Sequence, residues 1–184
     1  MTTAAVVLAA GGGTRFAGTS HKLLAPLRGR TVAGHAIAAA VAAALDATFV
    51  VVGSVDLSVP DGAVVVRNEA WANGIATSLQ AGLAAAAGAG HDAVVVGLGD
   101  QPFVEAEAWR LLAAVTDVQV AAATYGGRRG NPVRLAAGVW PLLPTTGDAG
   151  ARALLAREDI TVRGVPCPGS DADIDTAEDL ARWS

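Results

Sequence analysis

The chain has 184 residues, 52% of them hydrophobic, which is enough to form one globular domain with a sizeable core. A formal net charge of −4 disfavours a general nucleic-acid binder, and no apolar run approaches the roughly 20 residues of a membrane helix. Cys167 is the only cysteine, which excludes an internal disulfide and a cluster of cysteine metal ligands. The N-terminal segment lacks the positive residues of a signal peptide. We therefore expect a cytoplasmic protein whose partners include neither a membrane nor a nucleic acid.

Short valine-rich runs alternate with alanine-rich stretches, as expected when buried parallel strands are joined by crossover helices. Strands are predicted at residues 5–10, 48–52, 63–66, 93–97, 119–124 and 160–165. Helices are predicted at 31–45, 74–87, 105–115, 149–157 and 176–183, with a loop at 144–147. Because no repeat or linker divides the chain, residues 1–184 are predicted to form one three-layer, Rossmann-like α/β domain with a mostly parallel sheet. Its site is expected at the carboxyl ends of the strands.

The first predicted strand runs into three consecutive glycines at 11–13. Glycines let backbone N–H groups point at an anion without interference from Cβ atoms. A P-loop is excluded because Thr19 stands where its lysine would be. A dinucleotide fingerprint is excluded because Phe16 replaces its third glycine. The remaining interpretation is an open phosphate-binding loop, and a plain structural turn is the alternative.

The first quarter of the chain is locally positive although the whole chain is acidic. No Asp or Glu precedes Asp46, whereas Arg15, Lys22, Arg28 and Arg30 all do. Lys22 is also the only lysine. This distribution suits a small polyanion, and we expect Arg15 and Lys22 to reach a bound triphosphate.

Aspartates at two distant places are candidates for a cation site. Asp100 follows the predicted strand 93–97, so its carboxylate is expected at the carboxyl end of a central strand. Asp175 stands at the entry to the last predicted helix, with Asp173 two residues earlier. One carboxylate from each place can hold Mg2+, which takes few protein ligands. The alternatives are a turn residue for Asp100 and a helix-terminal acid for Asp175; Asp171 is expected to be solvated.

Other polar residues offer less specific chemistry. His21, His35 and His91 lack the spacing of metal ligands and are expected in surface or packing roles. No Ser/His/Asp series can be argued from them, which disfavours a hydrolase. Residues 125–134 form a second basic, glycine-rich stretch. This stretch either receives the phosphate group of a second, acceptor substrate or forms a flexible solvated loop.

Six short motifs follow one another along nearly the whole chain. They are L-A-A-G-G-G-T-R-F-A-G-T-S-H-K-L-L at 8–24, W-A-N-G with S-L-Q-A-G-L at 71–83, G-D-Q-P at 99–102, G-N-P-V at 130–133, G-D-A-G-A-R at 147–152 and D-I-D-T-A-E-D-L at 173–180. This ordered set resembles MobA-like NTP transferases, in particular the molybdenum cofactor cytidylyltransferases.

The resemblance implies a Mg2+-dependent nucleotidyltransferase in which Arg15, Lys22 and Asp100 are catalytic and Asp100 and Asp175 hold the metal. The implied nucleotide-binding residues are Leu8, Ala9, Ala10, Gly11, Gly12, Gly13, Thr14, Arg15, Lys22, Asn73, Gly74, Ser78 and Asp100. The implied acceptor-binding residues are Gln101, Gly130, Asn131 and Pro132. Trp71 is expected either in the pocket wall with Asn73 and Ser78, or as a packing residue.

The resemblance favours transfer of CMP from CTP to molybdopterin, because guanylyl relatives typically have two glycines in the stretch where this chain has Ala9-Ala10-Gly11. A guanylyltransferase on the same cofactor remains open, as does a transferase for a sugar phosphate, methylerythritol phosphate or phospholactate. From another class, the chain is compatible with a non-catalytic chaperone that hands molybdenum cofactor to an apo-hydroxylase. The sequence leaves the oligomeric state open.

Overall fold

The computed structural model describes residues 1–13, 16 and 21–183. Its strands are β1 (Thr3–Ala9), β2 (Pro26–Leu27), β3 (Arg30–Thr31), β4 (Ala47–Val52), β5 (Val64–Arg67), β6 (Ala93–Leu98), β7 (Val120–Tyr125), β8 (Arg128–Ala136) and β9 (Val162–Pro166). Its helices are α1 (Val32–Ala42), α2 (Ile75–Gly88), α3 (Ala106–Ala113), α4 (Arg152–Leu155) and α5 (Ala177–Trp183). Short 3-10 turns occupy Lys22–Leu24, Trp71–Asn73 and Ala137–Leu142.

Seven strands form one sheet in the order β5-β4-β1-β6-β8-β7-β9. Neighbouring strands are parallel except at β8, which is antiparallel to β6 and to β7. After β1 the chain builds one side of the sheet, then returns to place β6 on the other side of β1. The carboxyl ends of β1 and β6 therefore diverge at a switch point, the place where α/β sheets bind ligands.

Helices cover both faces of the sheet, which confirms the predicted three-layer α/β fold. On one face α2 buries Leu79 and Leu83 against the sheet, and α4 adds Leu154. On the other face Ile37 of α1 and Trp109 of α3 pack against the same strands. Strands covered on both faces are continuous apolar runs, which explains the valine-rich pattern of the sequence.

All six predicted strands are present, but β8 was missed because its residues were assigned to a basic, glycine-rich loop. That loop interpretation is wrong beyond the turn. Gly126 and Gly127 have positive φ angles of 58° and 82°, as a two-residue hairpin turn requires, and the strand begins directly after them. Pro132 lies where the β7–β8 register shifts, between the pairs at Gly130 and Val133. A proline is tolerated at such an irregularity.

The helix predicted at 149–157 is much shorter than expected, because α4 covers only Arg152–Leu155. The preceding residues are held by the start of α2 instead. Gly147 donates its N–H to the Asn73 carbonyl over 2.9 Å and accepts from the Ala76 N–H over 3.0 Å. The other predicted helices are present, with ends shifted by at most a few residues. Within the described ranges, no helix combines the length and apolarity needed to cross a membrane.

Candidate active site

A cavity of about 460 Å³ opens where β1 and β6 end. Ten residues predicted to bind nucleotide line it: Leu8, Ala9, Ala10, Gly11, Gly12, Gly13, Lys22, Gly74, Ser78 and Asp100. Trp71, Asp148 and Asp175 also line it, so Trp71 belongs to the wall. Asn73 lies beside this lining, where its carbonyl accepts the Gly147 N–H. The predicted residues Thr14 and Arg15 lie outside the described residues.

Lys22 brings together two carboxylates from distant parts of the chain. Its Nζ atom lies 2.6 Å from Asp100 Oδ2 and 2.7 Å from Asp175 Oδ1. The three side chains are only 12%, 21% and 27% exposed, respectively, so solvent screens the interaction incompletely. The two carboxylates therefore converge on one cationic position at the edge of the cavity.

The same contacts set the charge state of Lys22. Burial alone would lower the pKa of its ammonium group, but the charges and hydrogen bonds of Asp100 and Asp175 outweigh burial and raise the pKa above its ordinary value. Nearby, partial desolvation and then the charge of Asp100 raise the pKa of the Asp173 carboxyl group. Lys22 is therefore a permanent cation at neutral pH.

Asp175 is fixed by the first turn of α5. Thr176 Oγ1 accepts the Asp179 N–H over 3.1 Å, and Asp179 Oδ2 accepts the Thr176 N–H over 2.9 Å. This reciprocal pair is a capping box, which satisfies backbone donors at a helix start. On the other side, the N–H of buried Ile174 donates to the Asp100 carbonyl over 2.9 Å. The chain on either side of Asp175 is thus held, and one of these bonds reaches Asp100 itself.

A polar network lies behind the two carboxylates. Gln101 is buried, and its Nε2 donates to the Asp171 carbonyl over 2.9 Å and to Asp173 Oδ1 over 2.7 Å. The Asp171 carboxylate accepts from Arg128 over 2.8 Å. The expectation that Asp171 is a solvated surface residue is wrong, since its side chain is only 8% exposed. The carboxylate packs against the backbone of Gly130, in the space that a Cβ at that position would occupy.

His21 connects the glycine loop to the turn that carries Lys22. Its Nδ1 accepts the Leu23 N–H over 3.2 Å, so Nε2 carries the proton and donates to the Gly11 carbonyl over 3.0 Å. Burial lowers the pKa of His21, in keeping with this neutral form. His21 therefore links the two segments through hydrogen bonds to their backbone groups.

A second cavity of about 370 Å³ adjoins the first, and Leu8, Ile75, Leu98 and Asp148 line both. The wall of the second cavity is mainly apolar, and its polar or charged lining residues are Asn131, Asp148 and Arg152. Of the predicted acceptor-binding residues, Asn131 lines this cavity. Gln101, Gly130 and Pro132 lie outside both linings.

Two residues that position the site were not singled out from the sequence. Asp148 lies in the G-D-A-G-A-R motif, but only the fold shows that it stands between two cavities. Asn68 is buried, and its side-chain amide donates to Thr77 Oγ1 and to Ser78 Oγ, each over 2.9 Å. It thereby fixes the first turn of α2 against the end of β5. An asparagine shortly after a predicted valine-rich strand was the available signal in the sequence.

The glycine loop, the switch-point cavity and the paired carboxylates define a nucleotide-binding α/β protein. Residues 5–162 match the MobA-like NTP transferase domain, and the chain belongs to that family of nucleotidyltransferases.

Among solved structures, Rv0371c from Mycobacterium tuberculosis is 28% identical, with a TM-score of 0.82 over 99% of this chain and 97% of that one. That protein has also been solved as a complex with manganese. A nucleotidyl transferase from Methanothermobacter (Mth528) is 25% identical, with a TM-score of 0.79 over 98% of this chain and 95% of that one.

Among curated proteins, the bifunctional protein GlmU of Streptomyces avermitilis is 38% identical over 117 residues. That match covers 60% of this chain and 24% of that protein. The match thus spans about a quarter of the length of this curated relative.

Proposed function

We propose that the chain is a cytidylyltransferase that transfers CMP from CTP to a molybdopterin-type molybdenum cofactor and releases pyrophosphate. The observation that carries this proposal is the convergence of Asp100 and Asp175 on Lys22 beside the glycine loop. This arrangement offers both cationic and anionic groups to a triphosphate and its counter-ion in one cavity.

The chain's own residues bind and orient the reactants in this mechanism. Backbone N–H groups of residues 11–13 and the Lys22 ammonium neutralise the triphosphate. A phosphate oxygen of the acceptor attacks the α-phosphorus and forms a new P–O bond, while the bond between the α-phosphorus and the bridging oxygen breaks. The electron pair leaves with pyrophosphate. Because the attacking phosphate is already ionised, no side chain has to remove a proton.

The paired carboxylates suit a divalent cation. Among the residues that the structure describes, no group of three or more His, Cys, Asp or Glu side chains is arranged to hold a metal. Two carboxylates are sufficient for Mg2+, which takes its other ligands from phosphate and water. Asp100 and Asp175 would hold the ion, and bound Mg2+ supplies charge neutralisation at the α-phosphate and the leaving group. The manganese complex of Rv0371c supports a divalent cation in this fold.

The second cavity supports a flat heterocyclic acceptor. Its wall is mainly apolar, whereas a sugar phosphate needs polar partners for several hydroxyl groups. Asp148 and Asn131 can accept and donate hydrogen bonds at the edge of a pterin ring, and Arg152 can pair with an anionic substituent. This chemistry favours molybdopterin over a sugar phosphate, methylerythritol phosphate or phospholactate.

The base preference rests on Ala10. Its side chain lies beside Trp71, since a Cβ at Gly53 would stand within 2.9 Å of both residues. Both residues line the first cavity, so the methyl group of Ala10 stands in the wall where the guanylyl relatives have a glycine, and this difference supports a pyrimidine over a purine.

Pyrophosphate release tests the proposal directly. With Mg2+ and molybdopterin, we expect release with CTP to exceed release with GTP, and the product to carry CMP. Thermal unfolding with CTP, GTP, ATP and UTP gives an independent ranking, because ligands that bind only the folded state stabilise it. Equal or faster turnover with GTP would contradict the cytidylyl assignment. Cofactor binding without pyrophosphate release from any nucleotide would instead support the chaperone.

A further inference from the structure

Nothing in β6 or α5 alone fixes the separation of the two carboxylates that flank Lys22. Asp100 ends the segment after β6, whereas Asp175 lies in an irregular stretch before α5. A cation held by both carboxylates requires their oxygens at short, defined distances, since Mg2+ and Mn2+ are small ions with strict geometry. The contacts of residues 171–175 therefore determine how well the pair binds a cation.

Gln101 makes these contacts from the Asp100 side. It follows Asp100 directly, is 4% exposed, and uses Nε2 to hold both the Asp171 carbonyl and Asp173 Oδ1. The opposite orientation of the amide would place its oxygen against two acceptors, so the hydrogen-bond partners fix the orientation. The side chain faces the loop and lies outside both cavity linings.

Arg128 holds the far end of the same loop. Its guanidinium donates to Asp171 Oδ1 over 2.8 Å and to Asp171 Oδ2 over 3.3 Å. The arginine is 72% exposed and the aspartate 8% exposed, so the buried carboxylate has a charged partner at the surface. This bond ties residues 171–175 to the start of β8.

We infer that Gln101 is a positioning residue, which together with Asp171 and Arg128 sets the place of the Asp175 carboxylate beside Asp100 and thereby the affinity for a divalent cation. The inference rests on the proposed cation-dependent function. It assigns Gln101 a role different from the acceptor contact that the family resemblance implies. Residues that orient metal-binding carboxylates from behind typically change metal affinity about 10-fold to 100-fold when replaced.

Mn2+ binding separates the two roles of Gln101. The measurement is an electron paramagnetic resonance titration of the full chain with a CTP analogue whose α,β-bridging atom is a methylene carbon, so that no turnover occurs. Asp100→Asn defines the site, because the Mn2+ binding that this variant loses belongs to the paired carboxylates. Gln101→Met removes both hydrogen bonds at similar volume. We expect it to weaken that binding about 10-fold or more, with the acceptor KM at saturating metal unchanged.

An unchanged Mn2+ affinity with a raised acceptor KM would overturn the inference and favour direct contact between Gln101 and the acceptor. Mn2+ binding that Asp100→Asn does not alter would mean that the proposed cation site is wrong, and with it the inference. Failure of the inference alone would instead appear as Asp100-dependent binding that Gln101→Met leaves unchanged.

Arg128→Met keeps the test decisive if Gln101→Met does not fold, because Arg128 is largely exposed. We expect weaker Mn2+ binding from this remote change. Arg129→Met is the matched control: it removes the neighbouring exposed arginine and should leave Mn2+ binding unchanged. Equal Mn2+ affinities for both arginine variants and the parent chain would overturn the inference.

Discussion

Lys22 forms ion pairs with two carboxylates of the site. Two partly buried carboxylates repel each other, and the ammonium between them neutralises one of the two charges. A divalent cation at the same oxygens competes with the ammonium group of Lys22. The phosphates of a bound nucleotide offer that ammonium group new partners. Under the proposed mechanism, Lys22 therefore strengthens the binding of the triphosphate. When no nucleotide is present, it weakens the binding of the metal ion.

Lys22→Met is expected to change these two properties in opposite directions. Turnover should fall about 100-fold or more, since a charged contact to the transition state is lost. Mn2+ binding without nucleotide should become tighter, because the competing ammonium is gone. Arg30→Met, which removes an exposed arginine of β3, should change neither property. Normal turnover by Lys22→Met would mean that the triphosphate binds elsewhere.

Among the strands, the sequence indicated those that are short apolar runs and missed the one whose pattern is irregular. β1 and β6 are short apolar runs followed by turn residues, a pattern that is typical of a buried strand. β8 contains three arginines, a glycine and a proline, so neither its periodicity nor its composition is typical of a central strand. Only its pairing with β6 and β7 makes it one, and such pairing across the chain is invisible to local pattern analysis.

Gly130→Ala tests the contact between β8 and the loop that precedes α5. The new methyl group would overlap the Asp171 carboxylate, so the loop must move and its bonds to Arg128 must distort. We expect a loss of about 1 to 3 kcal/mol in the free energy of unfolding, the usual cost of overpacking. Chemical denaturation measures this value.

Gly138→Ala is the matched control for that substitution. Its methyl group would lie 3.6 Å from Gln119 Nε2, an ordinary van der Waals distance. Combining Gly130→Ala with Asp171→Ala should cost less than the sum of the single changes, because the overlapping carboxylate is absent. An additive pair would show that the two residues do not contact each other.

At the scale of the whole molecule, the fold gathers residues that are far apart in sequence at one end of the sheet. The resemblance implied that Asp100 and Asp175 share one site, and the structure places both on Lys22. The resemblance could not reveal the Gln101 network or the place of Asp148 between two cavities, because both depend on irregular segments packed against each other. Periodicity predicts regular elements, whereas such segments are defined by tertiary contacts.

Asp100 and Asp175 are proposed to form one cation site for nucleotidyl transfer. Pyrophosphate release across a Mg2+ titration tests it with Asp100→Asn, Asp175→Asn and the double variant, since each change keeps side-chain size and removes one charge. We predict that each single variant nearly abolishes release while staying folded. The double variant should lose little more, because one change already removes the metal. Full activity of Asp100→Asn with unchanged Mg2+ dependence would show that these two carboxylates do not hold the catalytic cation.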